Sequence, residues 1–384
     1  MPSRVILFKG ESQFGSVNAM VDQAAAAFER RGFATTRVDI RDAAFAATLE
    51  DAIRADDVAL VFSLNGYGLP RSGAGFYGAL NAPVFAYYVD HPLYHPTGAM
   101  APLRRFFLSY PTPHQVGFAL TAFQPAPRAT HVAHAAPAPE GPPPPWEDRD
   151  IPVFFSGAPG PLPPAELRAQ WATLGPDRER QLNDMVDLHD HDPLAPLESV
   201  ICHVLGTDRT EHALYTPFFM AVDMYLRARI KVGVVANLSP VGAWVAGPGW
   251  DFLKDRLPGV RFLGEVPADE TRALMGRAKV TLNLLPPYYA SHERVFQAMA
   301  AGSVAASTPS DLWSAWFGDG QVAQLPYAAH GQWAELEGLL SDDAGLAERA
   351  ARGHRAFLDG HTWDHRVAAI LRYLQASGEE VTPR

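Results

Sequence analysis

The chain has 384 residues, 47% of them apolar, and a formal net charge of −10. That length suits two ordinary domains with full cores, and the acidic balance excludes a broad basic surface for nucleic acid. The single cysteine, Cys202, excludes an internal disulfide; in the run Val200-Ile201-Cys202-His203-Val204 it is expected as a buried, small apolar residue.

The first apolar run, residues 5–8, follows Met1 so closely that no long apolar core of a secretory signal fits before it. No stretch approaches the roughly 20 apolar residues of a membrane helix. The expectation is a cytoplasmic protein, with peripheral membrane contact left open. Helical spacing over residues 17–33 is followed by an alternating strand at 35–40 and apolar strand runs at 58–63 and 84–89. Strands alternating with helices argue a parallel sheet. Residues 135–146 hold six prolines, four of them consecutive, and read as a stiff linker with a domain boundary near residue 150.

A strand at residues 151–155 restarts the chain, and the segment 163–230 is helical by pattern. Residues 232–235 read as a helix end. Strand units resume at 241–246, 260–263, 280–285, 304–307 and 322–325, before helical stretches at 333–359 and 363–376. The last residues, 377–384, are expected to fray.

The most informative block is Lys279-Val280-Thr281-Leu282-Asn283, a double proline at Pro286-Pro287, and then Ser291-His292-Glu293-Arg294-Val295-Phe296-Gln297-Ala298-Met299-Ala300-Ala301-Gly302. A β-prone run ends, a polar cluster opens a helix, and the helix stops at glycine. Strand ends that meet helix starts form the ligand edge of an open parallel sheet, and a helix N-terminus favours anions such as phosphate. The same residues also serve as ordinary helix caps.

Other candidate turns follow strands in the same way. Ser156-Gly157 offers backbone N–H groups to a phosphate, and Gly247-Pro248-Gly249-Trp250 leaves another strand. In the first half, Lys9-Gly10-Glu11-Ser12-Gln13-Phe14-Gly15 lacks the G-x-G-x-x-G spacing of a dinucleotide fingerprint. Asn65-Gly66-Tyr67-Gly68 reads as a turn, with Asn65 either tying it or meeting a sugar hydroxyl. Asp90-His91-Pro92 ends an apolar strand, where either Asp90 or His91 is placed to take a proton or to cap the next segment; Tyr94 and His95 stand close by. His189-Asp190-His191-Asp192 would gather two histidines only on a strand, its flanks read as helix or loop, and no third ligand is assignable, so no metal site is expected.

Together these segments resemble the C-terminal "K-x-x-L-N … HER-x-F-x-A-M-A-x-G", the "G-x-G-W … V-x-x-x-G-x-V", the "N-G" and the "V-D-H-P" motifs of a bacterial group of GT-B glycosyltransferases related to spore-maturation (CgeB-like) enzymes. The resemblance implies an α/β GT-B fold of two Rossmann-like domains, their parallel sheets facing an interdomain cleft. Residues 1–150 would be the acceptor domain and 151–384 the donor domain, and the last helix of such proteins often crosses back to the first. It implies metal-independent transfer of a hexose or related sugar from a nucleotide sugar, a co-substrate rather than a cofactor, to a glycan, protein or small molecule. Donor contacts would come from Ser156, Gly157, Gly247, Trp250, Ser291, His292, Glu293, Arg294 and Gln297. Acceptor contacts would come from Glu11, Ser12, Gly15, Asn65 and His95, and the base would be Asp90 or His91. Trp250 keeps a second reading, as a core aromatic. One departure stands out: where many retaining GT-B enzymes carry two glutamates eight positions apart, this chain has Tyr289 and Gln297. Two further classes remain: a GT-B-fold nucleotide-sugar epimerase, and a non-catalytic nucleotide-sugar-binding module.

Overall fold

In the first strand, Val5, Ile6, Leu7 and Phe8 are all fully buried. Side chains alternate between the faces of a strand, so both faces of this sheet are covered, as an all-parallel sheet requires. The computed structural model describes residues 3–12, 15–54, 57–73, 75–207, 212–318, 320–327 and 329–383; Gln13 and Phe14 of the first loop lie outside them. The chain forms two units, Met1–Pro137 with His361–Arg384, and Ala138–Gly360.

Unit 1 contains β1 (Arg4–Lys9), β2 (Ala34–Asp39), β3 (Val58–Leu64), β4 (Val84–Tyr87), β5 (Phe106–Tyr110) and β6 (Ala129–His131), in the order β2-β1-β3-β4-β5-β6. Every pairing is parallel. β5 and β6 lie where the pattern predicted no strand, because a five-residue run closed by Pro111 and a three-residue run show little periodicity. Val5 and Leu7 pack on one face against the helix Ser16–Arg30, and Ile6 and Phe8 on the other against Leu49 and Ala119. The direction of chain progress reverses between β1 and β3, so the loops after these strands part there and leave room for a ligand.

The helix Trp363–Ala376 belongs to this unit. Its Trp363, Val367, Ile370 and Leu374, spaced as one helical face, are buried in the unit 1 core. Trp363 lies 5.4 Å from the Tyr87 ring, and its Nε1–H donates to Gln23 Oε1 at 2.8 Å. The span expected for the second domain therefore ends at Gly360 instead of running to 384. Nor does the described tail fray: Arg105 pairs with Glu379, and Val381 is buried.

Unit 2 contains β7 (Ile151–Ser156), β8 (Trp244–Ala246), β9 (Arg261–Gly264), β10 (Ala278–Asn283), β11 (Val304–Ser307) and β12 (Ala323–Gln324), in the order β12-β11-β10-β7-β8-β9, again all parallel. Its first strand lies in the middle, and the order reverses between β7 and β10. The boundary expected near residue 150 falls at Pro137, because the proline stretch is docked. Pro143 and Pro144 face Gly302 and Gly276, and the buried Arg149 guanidinium donates to the carbonyls of Ala278 at 2.8 Å and Ala301 at 3.1 Å. The helical segment is filled by Pro164–Gln170, Pro176–His191, Leu197–Leu205 and His212–Val235, two of them opened by proline in the first turn. Among the described residues no helix is long and apolar enough to cross a membrane.

Trp363→Ala should destabilise the protein by about 3–5 kcal/mol, the usual cost of emptying a large aromatic site in a core. Urea unfolding followed by circular dichroism measures it; a loss below about 1 kcal/mol would mean that the last helix is not part of the unit 1 core.

Candidate functional site

The reversal between β7 and β10 puts the end of Ile151–Ser156 beside the end of Ala278–Asn283, with Phe155 opposite Leu282 in the register. Two glycine turns meet there. Gly157 follows β7 with φ 153°, and Gly247 follows β8 with φ 122°, both outside the range that side-chain-bearing residues adopt. A Cβ on Gly247 would stand 2.6 Å from the Gly157 carbonyl oxygen, and one on Gly157 would stand 3.5 Å from Arg294 Nη2. Two backbones thus approach each other closely, and a guanidinium lies over one of them.

Trp250 holds this contact from inside. Its ring is 1% exposed, its Nε1–H donates to the Gly157 carbonyl at 2.9 Å, and it meets Phe155 edge-on at 6.2 Å. This matches the second reading of Trp250, a core aromatic, and its burial leaves no ring face open to a donor.

Arg294 is positioned from β10. Asn283 is buried; its Nδ2 donates to Ser307 Oγ at 2.9 Å, and its Oδ1 accepts from Arg294 Nη1 at 3.0 Å. The guanidinium lies 5.3 Å from the Phe155 ring, a cation–π distance. Burial pushes its pKa down to about 10, so it stays charged at neutral pH. His292 is the N-cap of the helix Glu293–Ala300: its Nδ1 accepts the Arg294 N–H at 3.2 Å, and its Nε2 stands 3.2 Å from Glu293 Oε2. Because Nδ1 accepts, the proton of the neutral ring sits on Nε2 and points at the carboxylate. Ser291 is buried in the wall of a small recess that Ser307, Thr308 and Ser310 also line. Gln297 lies one turn beyond Glu293 on the same helix face.

Two further cations come from the helix His212–Val235. Lys231 Nζ donates to the Ala158 carbonyl at 3.0 Å, one residue past Gly157. Burial, and then the charges of Arg227 and Arg294, push its pKa down to about 7. Arg227 stands one turn earlier, 3.7 Å from Asp223 and 5.5 Å from the Tyr289 ring. Asp223 is fully buried and accepts from the Tyr288 hydroxyl at 2.5 Å and the Tyr289 hydroxyl at 2.9 Å. Sequence reasoning predicted this helix and missed its role. The available signal was Arg227-x-x-x-Lys231, two cations one turn apart on one face of a largely apolar helix that also carries Asp223 and Arg229. Two cations beside a glycine turn at a strand reversal, with a third one helical turn away, are an arrangement whose charge suits an anionic group.

In unit 1 the loops after β1, β3 and β4 share one sheet edge. Asn65, at φ 50°, accepts the Val89 N–H at 3.0 Å and donates to Asp90 Oδ2 at 2.9 Å. His95 Nε2 lies 3.2 Å from the same oxygen. His91 does not share this position. It is 3% exposed, its Nδ1 accepts the Leu93 N–H, and its ring packs 5.3 Å from Phe118. Of the two alternative bases, Asp90 therefore shares its position with His95, while His91 is turned inward onto Phe118 and the Leu93 N–H. Glu11 meets the Tyr67 hydroxyl through its carbonyl, Ser12 Oγ is buried, and Gly15 starts the helix Ser16–Arg30 with φ 69°.

The His189 segment is the end of the helix Pro176–His191, where residues two apart face different sides. His189 is buried with Nε2 at 3.1 Å from the Tyr327 hydroxyl, and His191 is exposed. Among the described residues no group of three His, Cys, Asp or Glu could hold a metal ion. Cys202, expected buried, is half-buried with Sγ 2.7 Å from the Tyr215 hydroxyl.

Residues 230–372 match the family model described as glycosyl transferase-like. No curated protein matches the chain. Among solved structures, the sucrose-phosphate synthase (tll1590) from Thermosynechococcus elongatus is similar over 98% of this chain and 100% of its own, with TM-score 0.59 and 10% identity. AviGT4, a glycosyltransferase involved in avilamycin A biosynthesis, is similar over 99% of both chains, with TM-score 0.57 and 12% identity. Anabaena Alr3699/HepE, in complex with UDP and glucose, is similar over 97% of this chain and 99% of its own, with TM-score 0.53 and 9% identity. With two six-stranded parallel sheets and these likenesses, the chain has the GT-B fold, and its residues 230–372 carry the glycosyl transferase-like family pattern.

Proposed function

We propose that the protein is a glycosyltransferase that takes a sugar from a nucleotide-sugar donor held on unit 2, and that it is a member of the CgeB-like group its motifs resemble. The observation that carries this reading is the approach of Lys231 and Arg294 to the Gly157 turn at the β7/β10 reversal, with the charge of Arg227 acting on both. A diphosphate fits that charge and that backbone. Arg294 and Lys231 neutralise the phosphates, with Glu293 or Gln297 near the ribose and Ser291 toward the sugar. The family match over residues 230–372 and the likeness to HepE, whose structure holds UDP, support the reading. The acceptor, a glycan, protein or small molecule, binds unit 1. Transfer is metal-independent in this proposal, because fixed cations perform the charge stabilisation that a divalent ion otherwise supplies.

UDP is the first ligand to test. Calorimetry should show binding to the full chain, and Arg294→Ala should weaken it by about 1.5–3 kcal/mol, the worth of a charge-assisted hydrogen bond; equal affinity in the variant would remove Arg294 from the site.

The pH dependence has a defined sign. In the empty site Lys231 titrates near 7, so at pH 8 it is mostly neutral. An arriving anion raises its pKa, and binding takes up a proton. UDP affinity should fall as pH rises from 7 to 9, and binding heats at pH 8 should differ between buffers of different ionisation enthalpy. Lys231→Met should abolish that difference; buffer-independent heats in the unaltered protein would contradict the assignment.

Nucleoside diphosphate release from the accepted donor should persist after exhaustive treatment with EDTA. Loss of the rate with EDTA, restored by manganese or magnesium, would refute metal independence.

A further inference from the structure

We infer that His95, oriented by Asp90, takes the proton from the acceptor hydroxyl; this rests on the transferase reading above. Unit 1 has three neighbouring polar groups with distinct tasks. Asn65 is a non-glycine residue in left-handed conformation at φ 50°, a position most residues avoid. It is held there by the Val89 N–H at 3.0 Å on its Oδ1, and its Nδ2–H donates to Asp90 Oδ2 at 2.9 Å. That bond aims the carboxylate at His95, whose Nε2 lies 3.2 Å from the same oxygen. The ring is stacked on fully buried Tyr88, centroids 5.6 Å apart and planes 29° apart.

The carboxylate fixes the tautomer. The proton of neutral His95 sits on Nε2, facing Asp90, which leaves the lone pair on Nδ1. His95 precedes the short helix Pro96–Ala99, yet its side chain makes no capping bond. In this it differs from His91 and His292, whose Nδ1 atoms accept backbone N–H groups. The side chains of His95 and Asp90 are 27% and 38% exposed, so a substrate can reach them. An ion pair that open adds little to stability. The fixed carboxylate, the stacked ring and the uncapped Nδ1 are the parts of a general base with its orienting partner.

The step balances. The acceptor O–H proton moves to His95 Nδ1, and the ring becomes imidazolium against the Asp90 carboxylate. The acceptor oxygen bonds to the anomeric carbon of the donor. The bond from that carbon to the diphosphate oxygen breaks, and its electron pair leaves with the diphosphate. With no acceptor added, water takes the acceptor's place.

The test uses the full chain and measures nucleoside diphosphate release from UDP-glucose, UDP-N-acetylglucosamine and GDP-mannose, with UDP affinity and circular dichroism as controls. His95→Ala should cut release by roughly 10²–10⁴-fold, the usual contribution of a general base, while UDP affinity and the spectrum stay unchanged. Added imidazole should restore part of the His95→Ala rate and none of the Arg294→Ala rate. Asp90→Asn should lower release without imidazole rescue. Undiminished release in His95→Ala overturns the inference and leaves the transferase reading standing. A rate lost together with fold, or without imidazole rescue, makes His95 structural and also overturns it. No release from any donor by the unaltered protein overturns the transferase reading, and this inference with it.

Discussion

The carbonyl of Gly157 lies 2.6 Å from the point that a Cβ on Gly247 would occupy, and the unit 2 site is built around that approach. Only two glycines let the turns after β7 and β8 meet there. Trp250, fixed beneath them, donates to the same carbonyl, so the contact is held by the core rather than by the loops. Arg294 comes to this turn from the helix after β10, and Lys231 from the long helix His212–Val235. A side chain at Gly247 would collide with the Gly157–Ala158 backbone, and one at Gly157 would crowd Phe155 and approach Arg294.

Gathering three cations opposes folding, since each loses water and repels the others. The structure offsets this with neutral acceptors. Arg294 is held by the Asn283 amide oxygen, and Lys231 by the Ala158 carbonyl. A carboxylate in either place would cancel the positive charge of the group it held. Arg227 is the exception: it pairs at 3.7 Å with the fully buried Asp223, which also accepts from two tyrosine hydroxyls. Asp223 thereby anchors the turn before Ser291, where Ala290 adopts φ 56°. The pKa of Lys231 is pushed down first by burial and then by its cationic neighbours Arg227 and Arg294.

Four histidines show how little residue type decides by itself. His91 and His292 cap short helices through Nδ1. His189 is buried against two tyrosine rings. His95 faces a carboxylate from a half-exposed position. The same imidazole is a cap, a core ring or a carboxylate's partner according to which hydrogen bond its backbone position allows.

Much of the fold was legible in the sequence. The apolar strand runs, the double proline before Ser291 and the stop at Gly302 are local signals, and local chemistry suffices to read them. The long helices of 163–230 and Arg294 at a helix start were read in the same way. What stayed hidden depended on partners distant in sequence. The proline stretch looks like a linker until Gly302 and Gly276, well over a hundred residues on, are placed against it. The last helix joins unit 1 because Trp363 fits Tyr87 and Gln23, which no helical period records. Trp250 and His91 carried a functional pattern, yet packing turned both inward, while Arg227 and Lys231 carried no motif and came to the Gly157 turn through helix placement. The sequence by itself determined which segments form strands, helices and turns, because those choices rest on neighbours in the chain. Only the tertiary structure decided which polar side chains stand together, because burial and approach are set by residues far apart in sequence.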